Sequence, residues 1–245
     1  MVSSATLILS AVFIICIFIF YKVEKAKQSP FIDLELFKNK PFIGAVIANF
    51  LLNTGVGVIA LFNIYAQGGL KFSAFQAGLL TLPYLITLLL VVRLGEKSIK
   101  RFGVKRAMVV GPIFTATGIL LFSLTFFNTS IYVVVALIAA VFFGGGTGLF
   151  ATPALSTAVS TTPAEKVGVA SGIFKMGSTL GGAFGIAIMT SIFTGVSQSG
   201  QTVDTAASIG FVVGTCLVIG GVCASALVIP TRKVRQGEKG QVTEG

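Results

Sequence analysis

Seven times along this chain an apolar stretch of about twenty residues recurs, and this limits the fold more than any motif does. The stretches run from about Ala5 to Tyr21, Phe42 to Tyr65, Phe75 to Val92 and Ala107 to Phe127, then from about Ile131 to Phe150, Val167 to Phe193 and Ala206 to Ile229. At about 1.5 Å of rise per residue, roughly 20 helical residues cross the hydrocarbon core of a bilayer. Within that core every backbone N–H and C=O needs an internal partner, which a helix supplies along its whole length. Composition agrees: 54% of residues are apolar and only 11% are charged, whereas soluble domains carry about a quarter charged residues. The expected fold class is all-α, a polytopic transmembrane helix bundle of seven spans, with the lipid bilayer of the cell membrane as its first partner.

The net charge of +10 does not indicate nucleic acid, because the charges lie in short loops and form no basic face. Lys22, Lys25, Lys27, Lys38 and Lys40 follow the first span, and Arg93, Lys97, Lys100, Arg101, Lys105 and Arg106 follow the third. Lys166 precedes the sixth span; Arg232, Lys233, Arg235 and Lys239 follow the last. If all seven stretches cross, sixteen of the 18 basic residues share one side, and the other side has only Lys71. Basic loops stay in the cytoplasm, so the N-terminus is expected outside and the C-terminus in the cytoplasm. The lysine-rich segment after the first span lacks a small-residue cleavage site, which marks that span as a helix that is kept.

The sixth span carries glycine at four-residue spacing: Gly168 and Gly172, then Gly177, Gly181 and Gly185. Such spacing places glycines on one helix face, where a neighbouring helix can approach closely. Gly144, Gly145, Gly146 and Gly148 give the fifth span a packing or hinge signal, with Pro153 and Pro163 on either side of its exit. Lys175 lies about ten residues past the polar turn at Pro163–Lys166, roughly 15 Å along the helix. A cation at that depth either faces an internal pathway or snorkels back to the headgroups. Asn49 and Asn53 share a face of the second span and suit interhelical hydrogen bonds or substrate contact; Asn63 lies further along. Pro83 and Tyr84 interrupt the third span and Pro112 opens the fourth, either lining a cavity with freed backbone groups or bending the helix. Lys175, Asn49, Asn53 and Tyr84 are the candidate pathway residues.

What is absent narrows the chemistry. The chain has no His, and no Asp or Glu falls in a span interior; Asp204 is in an outer loop. Cys16, Cys216 and Cys223 are isolated in apolar runs, which reads as small core residues and no metal or disulfide site. No catalytic residues, metal or cofactor are expected, and the chain is not expected to be an enzyme. A retinal protein would need a buried counter-ion for its lysine, which is lacking.

Three segments carry a family resemblance. Pro30 to Phe42 (PFIDLELFKNKPF), Gly95 to Arg106 (GEKSIKRFGVKR) and Gly144 to Ile188 (GGGTGLFATPAL…GGAFGIAI) resemble parts of the fourteen-helix drug:proton antiporters of the major facilitator superfamily, the QacA/EmrB type. In the second segment Arg101, Gly103, Lys105 and Arg106 match the family's basic cytoplasmic loop, and Lys100 stands where the family has Asp. The resemblance implies a C-terminal transporter half, six helices built as a 3+3 inverted repeat. Residues 1–28 would be a linker helix with its cytoplasmic end, 29–41 an amphipathic cytoplasmic linker, 42–230 the six-helix half and 231–245 a disordered tail. It further implies proton-coupled efflux of drugs or organic cations, dependent on a missing N-terminal half or a second copy of the chain. The alternative is a non-transporting seven-span sensor or adaptor.

Overall fold

The computed structural model describes residues 4–26 and 34–228, and in these it is all-helical. Helix α1 spans Ser4–Ala26 and includes the apolar stretch Ala11–Val23; a short 3-10 turn follows at Leu34–Lys38. These belong to one compact unit, which ends at Lys38. Of the linker read at 29–41, residues 29–33 lie outside the described residues, as does the tail read at 231–245.

The second unit begins at Asn39. Helices α2 (Lys40–Thr54) and α3 (Gly57–Gly68) together make one apolar span. Then come α4 (Ala74–Phe102), α5 (Val104–Phe122), α6 (Thr129–Ser160), a 3-10 turn at Ala164–Lys166, α7 (Val167–Gln198) and α8 (Val203–Val228). Among the described residues, six helical spans are long and apolar enough to cross a membrane, all in this unit. Asn39 starts the first by accepting the Phe42 N–H, with Pro41 at the first turn, where a missing N–H costs nothing.

Several expectations need correction. The second stretch is broken at Gly55 and Val56, where the N–H groups of Val56, Val58 and Ile59 bond three residues back. Arg93–Arg106 is mostly no loop: α4 runs on to Phe102, because the straight-chain residues of this segment favour helix. Gly103 alone separates α4 from α5, with φ 84° and ψ 157°. Pro83, Pro112 and Pro153 all lie inside unbroken helices. Cys16, Cys216 and Cys223 are exposed, not core; a small apolar side chain loses nothing by facing lipid.

Gly103 carries a prediction. Its φ and ψ fall in a region open essentially to glycine, where another residue costs about 1–3 kcal/mol. No atom lies within 4 Å of the Cβ it lacks, so the penalty is purely conformational. Gly103→Ala is expected to lower the thermal midpoint of the purified chain, and an unchanged midpoint would show that the turn relaxes freely.

Packing interlaces the spans. The α2–α3 span packs on α7 and α8, α6 packs on α4 and α5, and α5 meets α8. At one end of the unit Asn39 Nδ2 donates to the Thr161 carbonyl at 2.6 Å. At the other, the Tyr65 hydroxyl donates to Asp204 Oδ1 at 2.7 Å, Thr125 Oγ1 to the Asp204 carbonyl at 2.8 Å, and Ser208 Oγ to the Ser123 carbonyl at 2.8 Å. Asp204 stands in the first turn of α8, where a carboxylate is favoured. Arg93 and Lys166 thus belong to the Asn39 end, and Lys71 and Asp204 to the opposite end.

Candidate functional site

A cleft of about 460 Å3 lies among α2, α4, α6 and α7. Asn49, Leu52 and Asn53 of α2, with Val56 at the break before α3, form one wall, and Tyr84 and Leu88 form its α4 wall. Thr147, Phe150, Ala151 and Leu155 come from α6, and Ser171, Phe174, Lys175 and Ser178 from α7. The four candidate pathway residues therefore share one cavity, although Asn49 and Lys175 are far apart in sequence.

Asn49 is buried and holds two helices together. Its Nδ2 donates to the Phe174 carbonyl at 2.9 Å and to Ser178 Oγ at 2.6 Å, while its Oδ1 accepts from Asn53 Nδ2 at 2.9 Å. Asn53 Nδ2 also donates to the Asn49 carbonyl at 2.8 Å, leaving the Asn53 Oδ1 free to accept from a ligand. Asn63 plays no part here; its amide donates back to the Ile59 carbonyl within α3. The Tyr84 ring leans on Phe143, with centroids 5.2 Å apart.

The glycines divide sharply. A Cβ on Gly181 would overlap the Phe50 carbonyl and one on Gly185 the Thr54 carbonyl, so α7 lies backbone to backbone on α2. Gly177 is looser: a Cβ there would lie 3.4 Å from Val46 Cγ1 and 3.6 Å from the Val46 carbonyl oxygen. A Cβ on Gly144 would overlap the Tyr84 carbonyl and one on Gly148 would lie 2.8 Å from the Leu88 carbonyl oxygen, so α6 lies close against α4 beside the cleft. Gly168 and Gly172 have open space around them and are exposed. In the basic segment, Arg106 is exposed and Lys105 half-buried in the first turn of α5; the Arg101 side chain lies outside the described residues.

Sequence reasoning missed Ser171, Ser178 and Thr147. Ser171 and Ser178 lie four residues before and three after Lys175, on the same helical face, so the spacing was there to be read. Also missed was the Tyr65–Asp204–Thr125 junction, because its members are distant in sequence and only the fold joins them.

Helices α4 and α7 are by far the least buried of the six spans. Phe75, Ile86, Leu89 and Leu90 of α4 and Met176, Leu180 and Phe184 of α7 are large, apolar and exposed. Both helices line the cleft.

Comparison with known proteins gives a consistent picture. The family model described as Major Facilitator Superfamily matches residues 2–186. A protein named quinolone resistance protein NorB from Staphylococcus aureus (strain MRSA252) is 43% identical over 199 residues, covering 81% of this chain and 43% of that protein. The protein of the same name from strain JH9 is 44% identical over 180 residues, 74% of this chain and 39% of that protein. The chain thus spans about two fifths of the length of these curated relatives.

Proposed function

The chain belongs to the major facilitator superfamily, a family of membrane transporters and not of enzymes, and from that premise we infer that it is the C-terminal portion of a drug-efflux transporter. The observation that carries this reading is the polar-lined cleft beside two apolar helices, α4 and α7, whose outer faces are exposed among the described residues. Alternating access needs two bundles rocking about a central site, and those faces suit the second bundle. The interlaced packing supports a 3+3 inverted repeat of α2–α3, α4 and α5 with α6, α7 and α8, since the first span of each triplet packs on the second and third of the other. Helix α1 is then a seventh span. The name of the relatives points to quinolones among the drugs carried. Coupling to protons draws its carboxylates from an N-terminal half, as no span interior here has an Asp or Glu.

The test is complementation in a bacterium lacking its own efflux pumps. Expressed alone, the chain is expected to leave quinolone accumulation unchanged. Expressed with the N-terminal half of the Staphylococcus aureus quinolone resistance protein, it is expected to lower accumulation in a protonophore-sensitive way. No effect of the pair, with both parts present in the membrane, would favour the non-transporting sensor or adaptor.

Orientation follows from the basic residues at the Asn39 end, which puts that end in the cytoplasm. In a background without Cys16, Cys216 and Cys223, a cysteine replacing Ser98 is expected to react with an impermeant maleimide only after permeabilisation, and one replacing Ser199 before it. Labelling of the Ser98 position in intact cells would reverse the topology.

A further inference from the structure

We propose that the α2–α4–α6–α7 cleft is a carboxylate site, taking an amphiphilic organic anion or zwitterion whose acid group pairs with Lys175; its relevance to transport rests on the reading above, but binding itself does not. Lys175 is exposed and lines the cleft, and among the described residues its Nζ has no hydrogen-bond or ion-pair partner. Among the described residues no Asp or Glu contributes to the lining, and the formal charge they bring to the cavity is positive.

The unspent hydrogen-bonding capacity leans the same way. Ser171 and Ser178 flank Lys175 on one face of α7. Ser178 Oγ already accepts from Asn49, which leaves its proton to donate outward. Ser171 Oγ and the Tyr84 hydroxyl donate to no described residue. Lys175 Nζ can only donate, the hydroxyls of Ser171, Ser178 and Tyr84 can each turn a proton toward the cavity although they can also accept, and Asn53 Oδ1 can only accept. A carboxylate has two oxygens to accept from such donors, and charge-assisted bonds to an ammonium are stronger than neutral ones. A low-dielectric surround strengthens the pairing. Leu52, Val56, Leu88 and Phe150 offer an apolar wall for the rest of the molecule. An organic cation would find aromatic faces here, but with a like charge beside them and nothing to neutralise it.

The experiment uses the 245-residue chain in phosphatidylcholine nanodiscs, with empty nanodiscs as the blank for partitioning. Equilibrium dialysis measures binding of 2-naphthoate, its methyl ester and tetraphenylphosphonium. Saturable naphthoate binding is expected, with the ester weaker by about tenfold or more, the scale of one lost charged hydrogen bond. Lys175→Ala should weaken naphthoate to the same degree and leave the ester unchanged, while Lys175→Arg retains most of the binding. Because Lys175 is exposed, both variants should keep the wild-type thermal midpoint, and a variant that does not is replaced by Lys175→Gln. Absence of saturable naphthoate binding, equal binding of acid and ester, or indifference to Lys175→Ala would overturn the site. Phosphonium binding that tightens in Lys175→Ala would overturn it in favour of a cation site. No transport is read, so a chain that binds naphthoate but fails complementation retains this site and loses only the transporter reading.

Discussion

Gly181→Leu is expected to remove most of the folded protein from the membrane, whereas Gly172→Leu on the same helix leaves the yield near wild type. At Gly181 a Cβ would overlap the Phe50 carbonyl oxygen, and it would lie 3.0 Å from the carbonyl carbon and 3.1 Å from Asn53 Cβ. The obstacle is α2 backbone, which cannot turn aside as a side chain can. Helices α2 and α7 would have to separate, and the neighbouring contact of Gly185 with Thr54 would open with them. Overpacking that side chains absorb costs about 1–3 kcal/mol. Displacing a whole helix exceeds that range, because helix association in lipid depends on close van der Waals packing with no water to exclude. Gly172 has nothing within 4 Å of its missing Cβ. Detergent-solubilised yield and thermal midpoint of fluorescent-protein fusions read both variants. Equal values for the two would show that the α2–α7 contact does not hold the fold.

Asn49→Leu should give the next largest loss. Asn49 is 4% exposed and makes two donated bonds to α7 and one accepted bond from Asn53. Leucine has a similar volume, so the loss is mostly hydrogen bonding. Interhelical bonds in membranes are worth about 0.6 kcal/mol each on average and up to about 1.7, so the two to α7 and the one within α2 together come to about 2 kcal/mol. For a chain of this size that is a fall of about 4–8 °C in thermal midpoint. Asn53→Leu removes only bonds made within α2 and is expected to cost less than half as much. An equal fall for both would mean that the contacts between α2 and α7 add nothing beyond those within α2.

The helical class and the number of long apolar spans after residue 40 were legible from hydropathy alone, since a bilayer leaves a twenty-residue apolar run almost no alternative. Lys175 was legible for the same reason: a charge is conspicuous wherever its surroundings are uniformly apolar. Asn49 and Asn53 stood out by their shared face, but which partner they would take did not, because Phe174 and Ser178 come from a helix more than a hundred residues away. The continuity of α4 through Pro83 to Phe102 was hidden by reading charged residues as loop; charge says where water is, and a helix can project into water. Glycine spacing named five candidates on α7, yet among the described residues a Cβ would collide with backbone of another helix only at Gly181 and Gly185, Gly177 makes an ordinary contact with α2, and Gly168 and Gly172 have open space. The period of a helix tells which residues share a face, but the face that is used depends on where the other helices lie. The cleft is of that second kind: its residues come from four helices, and their convergence is a property of tertiary packing alone.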